Sequence, residues 1–179
     1  MNIKITWVLM IALASTAAAA ETVTEKTGVN SALGIAPKTQ DFVTEAAGSD
    51  MTEIAAAKIA LQKGDGDEKQ FADQMVKDHT QTSTELKALV SGGDVQGTLP
   101  TAPDSASQKK IDKLNAATPA DFRSEYDPMQ VSAHKSAVSL FERYAKGGDN
   151  AKLKAWAQKT LPHLQHHLDM ANMLDQRRK

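Results

Sequence analysis

Residues 64–93 of the chain read GDGDEKQFADQMVKDHTQTSTELKALVSGG. Side chains suited to a buried face recur in this stretch at steps of three and four residues, which is the spacing of one face of an α-helix. Asp67 is suited to cap the start of that helix, and Gly92-Gly93 is suited to end it. The stretch therefore predicts a long amphipathic helix. The residues that share its apolar face are Phe71, Met75, Val76, Thr82, Leu86 and Leu89.

A helix is also predicted immediately before this stretch. Asp41 can cap it, and apolar residues continue at helical spacing as far as Gly64, so this helix spans about residues 41–63. The cluster Gly64-Asp65-Gly66-Asp67 then favours a turn. The two helices are therefore expected to form an antiparallel hairpin.

The rest of the chain predicts a second hairpin, joined to the first by a long connection. Between Gly92 and Thr118 the sequence contains prolines and a short amphipathic segment from Asp104 to Ala117, which indicates a crossover with a short helix. Two more long helices are expected, from about Pro119 to Gly147 and from Asp149 or Asn150 to about Gln176. The chain is therefore predicted to be all-α. Over residues 40–176 we expect an antiparallel four-helix bundle with a crossover segment that contains a short helix.

The composition excludes several classes of function. The chain has 179 residues, with 21 basic and 22 acidic side chains and a formal charge of −1, so no strong field attracts nucleic acid or an anionic membrane. Aromatic residues make up only 4%, fewer than a large β-sandwich or barrel would use. Because there is no cysteine, disulfides, thiolate catalysis and cysteine-bound zinc or iron–sulfur clusters are excluded.

The first twenty residues have the pattern of a secretory signal peptide. Lys4 precedes an apolar run from Ile5 to Ala14, and Ala18-Ala19-Ala20 provides small residues for cleavage after Ala20. The run is shorter than the roughly 18 to 20 apolar residues of a membrane-spanning helix, so we expect no membrane anchor after cleavage. Residues 21–39 are polar with little periodicity, which is typical of a flexible leader. We therefore expect a periplasmic protein.

Several candidate ligands lie near the middle of the predicted long helices. Counted from the nearer turn, Glu53, His79 and His134 are about 12 to 14 residues away, which corresponds to about 18 to 21 Å along a helix. His163 is about 15 residues from the second turn. Helices of about 25 residues are roughly 37 Å long, so these side chains share one level of the domain.

Helical periodicity also indicates which histidines point inward. His79 and His134 stand three and four residues from apolar neighbours, so both are expected to face the apolar seam. On the fourth helix, His167 is the better inward candidate, and His163 shares its side at a spacing of four residues. His166 is expected to face solvent.

Imidazoles and a carboxylate at one level have the donor chemistry of a transition-metal site. Glu53 lies on a strip of small residues that leaves room for a ligand, and Met75 and Met129 are expected nearby. Neutral imidazole nitrogens suit zinc, copper or iron. Alternatively, the histidines are hydrogen-bonded core residues and no metal is bound. The candidate metal ligands are Glu53, His79, His134, His163 and His167.

Motifs of several enzyme classes are missing from the sequence. It contains no Gly-rich phosphate loop, no Gly-x-Ser-x-Gly elbow and no His-Glu-x-x-His pair. No glutamate is followed by a histidine three residues later, which disfavours a carboxylate-rich di-iron site. We therefore assign no catalytic residue.

An ordered set of short motifs runs from about Asp41 to Leu174. They are Asp41-Phe42-Val43 with Ala46-Ala47, Met51-x-Glu53-Ile54, Phe71-Ala72, Met75-Val76-x-Asp78-His79, Leu99-Pro100, Phe122 with Tyr126, His134, and Leu161-Pro162 followed by His167. In this order they resemble the bacterial domain of unknown function 4142 (DUF4142) family of exported proteins. The resemblance implies a ferritin-like four-helix bundle and an extracytoplasmic location, and it implies no activity. Where the family usually has Phe-Asp, this chain has Phe122-Arg123, so no role of that aspartate is carried over.

The sequence leaves three functions open. The first is a periplasmic bundle that binds a transition metal through the candidate ligands. The second is a metal-free envelope or stress-related interaction module, in which the histidines are core residues and partners bind the outer surface. The third is an oxidoreductase that uses the same site.

Overall fold

The computed structural model describes residues 29–177, and over that range the chain is all-helical. The predicted signal peptide and residues 21–28 of the predicted leader lie outside the described residues. The described part of the chain contains six helices, close to the expected bounds of the four long ones and of the crossover helix. They are α1 (Val29–Ala32), α2 (Thr39–Lys63), α3 (Gly66–Ser91), α4 (Ser105–Ala116), α5 (Pro119–Gly147) and α6 (Ala151–Arg177).

The expected cap of α3 was wrong by two residues. Asp65, and not Asp67, is the N-cap: its side chain accepts hydrogen bonds from the backbone N–H groups of Asp67 and Glu68 at 3.0 and 3.2 Å. The Glu68 carboxylate accepts in return from the backbone N–H of Asp65 at 2.6 Å. This reciprocal capping box satisfies more backbone donors than a cap at Asp67 would, because Glu68 stands three residues after Asp65.

The start of α2 also differs from the expectation that Asp41 caps it. The helix begins two residues earlier, and its N-cap, Lys38, makes no side-chain capping hydrogen bond. Asp41 lies in the first turn and is buried. An acidic residue in this position still stabilises the helix, because its negative charge interacts favourably with the positive end of the helix dipole.

The long helices pack as two antiparallel hairpins. The short turn between α2 and α3 and the short turn between α5 and α6 each hold two helices side by side. The hairpins meet where α2 contacts α5 and where α3 contacts α6. Helix α4 lies across α2 and α5, within the connection between the hairpins. Each long helix therefore has one face toward a shared interior.

Residues 29–38 of the predicted leader contact the helical domain. The guanidinium of Arg143 on α5 donates to the backbone carbonyl of Ile35 at 2.8 Å. The hydroxyl groups of Ser31 and Ser139 lie 3.4 Å apart. This part of the leader thus lies against α5.

The interior contains two apolar clusters separated by polar side chains. One cluster is centred on aromatic rings, with Phe42 stacked on Tyr144 at a centroid distance of 4.1 Å. The other contains Phe71 and Tyr126 and many alanines. On all four long helices, buried polar residues lie in sequence between the residues of one cluster and those of the other. We give the name polar layer to six of these residues: Asp50, Glu53, His79, Gln130, His134 and His167.

None of the helices in the described part of the chain combines the length and the apolar character that a membrane span needs.

Candidate functional site

The four long helices each contribute to the polar layer. Helix α2 provides Asp50 and Glu53, α3 provides His79, α5 provides Gln130 and His134, and α6 provides His167, and none of these residues is more than 6% exposed. Burial of so many polar side chains is costly unless each one finds a partner. The layer is therefore a candidate functional site, and the hydrogen-bond partners of its polar atoms indicate which kind of ligand the site can bind.

Three of the five histidines meet in the centre of this layer. The ring centroids of His79 and His134 are 5.7 Å apart, and the ring of His167 is 5.5 Å from each of them. One ring nitrogen from each histidine lies within 4.8 Å of the other two. We call these three residues the histidine centre.

The outer nitrogen of each ring is held by a hydrogen bond. Nδ1 of His79 donates to Oδ1 of Asp50 at 2.8 Å, and Nδ1 of His134 donates to the backbone carbonyl of Gln130 at 2.9 Å. Nε2 of His167 donates to Oδ2 of Asp78 at 2.9 Å. Such contacts fix the orientation and the tautomer of a metal-binding imidazole. In the neutral form of each ring, the second nitrogen is thereby left as a lone-pair donor.

The second nitrogens have no hydrogen-bond partner within the described part of the chain. They are Nε2 of His79, Nε2 of His134 and Nδ1 of His167, and all three are buried. Most buried polar atoms in folded proteins do have a partner, so three unpartnered nitrogens in one place call for an explanation. A positive ion accepts all three lone pairs at once, which no single side chain of the centre does.

Glu53 adds a carboxylate beside the histidine centre. Both of its oxygens are buried and have no hydrogen-bond partner among residues 29–177, and its negative charge acts on His79 and His134. The hydroxyl of Tyr126 is likewise buried and unpartnered. Burial, assisted by the charges of Glu53, Asp127 and Glu68, raises the pKa of Tyr126 well above its ordinary value. Glu53 thus supplies negative charge near two of the three rings, those of His79 and His134.

The pKa values of two of the histidines favour neutral rings. Burial lowers the pKa of His134. Burial also lowers the pKa of His167 to about 4, although the hydrogen bond that the ring donates to Asp78 acts to raise the pKa. For His79, burial opposes the charged ring, but the hydrogen bond and charge of Asp50 outweigh burial and raise the pKa. At neutral pH, the rings of His134 and His167 are therefore uncharged, each with one nitrogen that carries no proton, as metal ligands must be.

The size of the histidine centre fits a first-row transition metal. An ion equidistant from three nitrogens that are at most 4.8 Å apart lies about 2.8 Å or less from each of them. Zinc–imidazole bonds are about 2.0–2.1 Å long, so side-chain movements of under about 1 Å complete the coordination. Glu53 is not among the clustered ligand atoms, but its buried carboxylate acts electrostatically on His79 and His134 and is the candidate for a fourth ligand that the charges indicate. The residues present therefore fit a metal ion.

The structure separates the remaining candidates from the centre. His163 is exposed, although it stands on the same side of α6 as His167, and it is not one of the three clustered rings. His166 is exposed, as expected. Met75 is buried in an apolar cluster, and Met129 lines a surface cavity. Asp78, which is not a candidate ligand, accepts a hydrogen bond from the His167 ring.

Two openings adjoin the polar layer from opposite sides. A cavity of about 450 Å³ between α2, α5 and the crossover segment reaches Glu53 and is otherwise lined mainly by hydroxyl-bearing and small residues. A pocket of about 60 Å³ between α3 and α6 is lined by His79 and His167, and by His163. The centre therefore has one side toward a roomy cavity and one side toward a narrow, imidazole-rich pocket.

A second buried ionic group lies outside the layer, toward the α2–α3 turn. The guanidinium Nε of Arg123 lies 3.4 Å from Oδ2 of Asp127 and 3.7 Å from Oε1 of Glu68. Both carboxylates are buried. Burial and the charge of Glu68 raise the pKa of Asp127 to about 6, with Arg123 opposing the shift.

Sequence reasoning missed Asp50 and Gln130. Asp50 stands three residues before Glu53 and so shares its face of α2, and an acidic residue on an inward face is a signal that could have identified it. Gln130 acts on His134 through its backbone carbonyl, a contact to which its residue type contributes nothing. No sequence signal marks such a residue.

Comparison with known families gives one match. A family model described as "Domain of unknown function (DUF4142)" matches residues 24–174, which is most of the chain. The resemblance inferred from the ordered motifs is confirmed. No curated protein and no solved structure matches the chain.

Proposed function

The chain belongs to the DUF4142 family, and we propose that it binds one divalent transition-metal ion at the histidine centre. The ligands are Nε2 of His79, Nε2 of His134 and Nδ1 of His167, with the Glu53 carboxylate as the fourth. Three nitrogens and one oxygen suit zinc, copper or iron. One observation carries the proposal: three buried imidazoles meet with one ring nitrogen of each within 4.8 Å of the other two, and each ring has one buried nitrogen without a hydrogen-bond partner among the described residues.

A hydrogen-bonded core role for the histidines explains less. It accounts for the contacts with Asp50, Asp78 and Gln130, but it leaves both the inner nitrogens and the carboxylate of Glu53 without partners. Each unpartnered buried polar group costs about 1–3 kcal/mol. An ion removes these costs together, which is why we prefer the metal site over the metal-free module.

The proposed arrangement of the long helices is a ferritin-like four-helix bundle. Its support is the cycle of neighbours: α2 with α3, α3 with α6, α6 with α5, and α5 with α2. Metal ligands that project inward from facing helices are the usual way in which bundles of this kind hold an ion.

We further propose that the protein is exported and acts in the periplasm. The support is the sequence pattern of its first twenty residues, with Lys4, the apolar run and the alanines that end at Ala20. Metal loading after export is consistent with ligands that all come from distant parts of the chain, since only the folded protein assembles them.

Elemental analysis of tag-free protein tests the metal site. After exposure to zinc, copper or iron and removal of loose ions, we expect about one equivalent of metal per chain. The His79→Gln and His134→Gln variants should lose it, and His166→Gln, which changes an exposed histidine, should keep it. Retention of less than about 0.1 equivalent by the unmodified protein would contradict the proposal and favour a metal-free interaction module.

A second candidate function, an oxidoreductase on the same centre, is favoured by the 450 Å³ cavity beside Glu53. Such a cavity is large enough to admit a small molecule to the fourth ligand. Peroxide turnover by the copper- or iron-loaded protein tests it. Absence of turnover with full metal occupancy would leave storage or transport of the ion as the function.

A further inference from the structure

We propose that the pocket between α3 and α6 is a transient binding site for a hydrated divalent transition-metal cation, with His163 as the residue that captures it. The ion then passes to the histidine centre. This inference rests on the metal-binding function proposed above and adds the route by which the ion arrives.

The pocket shares two residues with the histidine centre. His79 and His167 form part of its lining, while their inner nitrogens remain buried and unpartnered. The pocket therefore ends at the ligands. Its volume of about 60 Å³ is enough for one or two water molecules or a partly hydrated ion.

His163 is placed to bind an ion at the mouth of this pocket. It lines the pocket, it is exposed, and it precedes His167 by four residues on α6, so the two rings stand one turn apart on one face. Imidazole is a nitrogen ligand, so it binds transition metals at neutral pH in preference to sodium or magnesium. An exposed histidine thus selects the kind of ion that the centre holds.

Asp78 connects the mouth to the centre. Its Oδ2 accepts from Nε2 of His167 and from the side-chain amide of Gln74, at 2.9 and 2.6 Å. Asp78 also lies within the range of electrostatic interaction with His163. A carboxylate between the two histidines lowers the cost of bringing a cation past this point.

The charge around the pocket favours a cation. Its lining includes the carboxylates of Asp78 and Glu85 and the single ammonium of Lys159. The ammonium lies 3.3 Å from Glu85, and its side chain is 68% exposed, so it can move away at little cost. Asp50, which also bonds His79, adds a further negative charge behind the pocket wall.

The larger cavity is a poorer route for the ion. It reaches the layer at Glu53 and has no histidine in its lining. Its polar lining includes hydroxyls and the carboxylates of Glu45, Glu53 and Asp104. Such oxygen ligands also suit magnesium and calcium, so they select a transition metal less well than imidazole does. We therefore assign ion uptake to the α3–α6 side and leave the α2–α5 side to other small molecules.

Rapid-mixing measurements with Zn²⁺ test the route. The full chain, as purified without metal, is mixed with the ion, and the association rate is followed by competition with a chromogenic chelator. The His163→Gln variant should bind about tenfold more slowly, because the pocket no longer concentrates the ion near the ligands. Its Kd should change little, so dissociation slows by the same factor. The matched control, His166→Gln, should behave as the unmodified protein.

An unchanged association rate of His163→Gln would overturn this route. If its Kd weakened at the same time, His163 would be a permanent ligand. If Ala133→Leu, which narrows the large cavity, slowed binding instead, the ion would enter from the α2–α5 side. If the unmodified protein binds no Zn²⁺, copper or iron, then the proposed function itself fails, and this result is distinct from a change of route.

Discussion

Asp50 on α2 accepts a hydrogen bond from Nδ1 of His79 on α3, with 2.8 Å between the two atoms. The contact joins two helices of one hairpin and decides which nitrogen of His79 faces the histidine centre. The same carboxylate accepts from the hydroxyls of Thr82 and Ser83, at 2.9 and 3.1 Å. Asp50 is therefore itself held in place, and so is the ring that it orients.

The Asp50→Asn variant should bind metal more weakly with its fold retained. Loss of the charge makes the His79 ring a poorer donor to the ion and loosens its orientation, and such outer contacts are worth about 10- to 100-fold in metal affinity. Chelator competition measures the Kd. Ser83→Ala removes a different hydrogen bond from the same carboxylate and should change the Kd far less; an equal change in both variants would contradict the orienting role.

Helix spacing predicted the level of the centre but only part of its chemistry. Because each residue adds a fixed rise, distance along the chain from a turn becomes height, and this argument placed His79 and His134 at one level with His163. The structure instead brings His167, one helical turn further along α6, to the other two rings. Periodicity alone did not exclude His163, since residues four apart share a side of the helix. The packing of α6 against α3 separates the two, and no pattern within α6 encodes that packing. The all-helical fold class followed from apolar spacing, whereas the cap of α3, predicted at Asp67, is Asp65, because only there does Glu68 complete the capping box.

The Glu53→Gln variant should separate binding from stability. Glutamine has nearly the same shape, but it removes a buried carboxylate with no hydrogen-bond partner among the described residues. We expect the melting temperature of the metal-free protein not to fall, because an unpaired buried charge is destabilising. The Kd for Zn²⁺ should rise at least about tenfold with loss of the fourth ligand. A lower melting temperature without metal, together with an unchanged Kd, would make Glu53 a structural residue.

Metal should stabilise the unmodified protein and not a variant that lacks a ligand. Free metal at 100 times the Kd adds about 2.7 kcal/mol to the free energy of unfolding. For a domain of this size, that energy raises the melting temperature by about 5–10 °C. His134→Gln should lose this increase, whereas His166→Gln should retain it. Differential scanning calorimetry with and without Zn²⁺ gives the comparison, and an increase that survives His134→Gln would exclude the centre as the site.

The Asp127→Asn variant should change how stability depends on pH. Burial raises the pKa of Asp127 to about 6, above the roughly 3.9 of an unfolded chain. Between these values the folded state holds the proton more tightly, so the free energy of unfolding falls as the pH rises from about 4 to about 6. Asparagine should abolish this decrease. The stability of the variant relative to that of the unmodified protein should therefore be greater at pH 7.5 than at pH 4. Urea unfolding across this range measures it.

Exposed acidic residues provide the control for that pH profile. Asp169→Asn changes a carboxylate on the outer surface of α6 and should leave the profile of the metal-free protein unaltered. If Asp127→Asn and the unmodified protein lose stability in parallel between pH 4 and 6, then Asp127 does not titrate in that window.

The separation of the two apolar clusters by the polar layer has a consequence for cooperativity. The polar layer interrupts the apolar core on every long helix. The two halves of the domain therefore share no continuous apolar core through which unfolding of one half could pass to the other. An ion bound to α2, α3, α5 and α6 would act as a cross-link at the midpoint of all four. We expect the two ends of the domain to exchange their amide hydrogens independently without metal, and as one unit once the ion joins them.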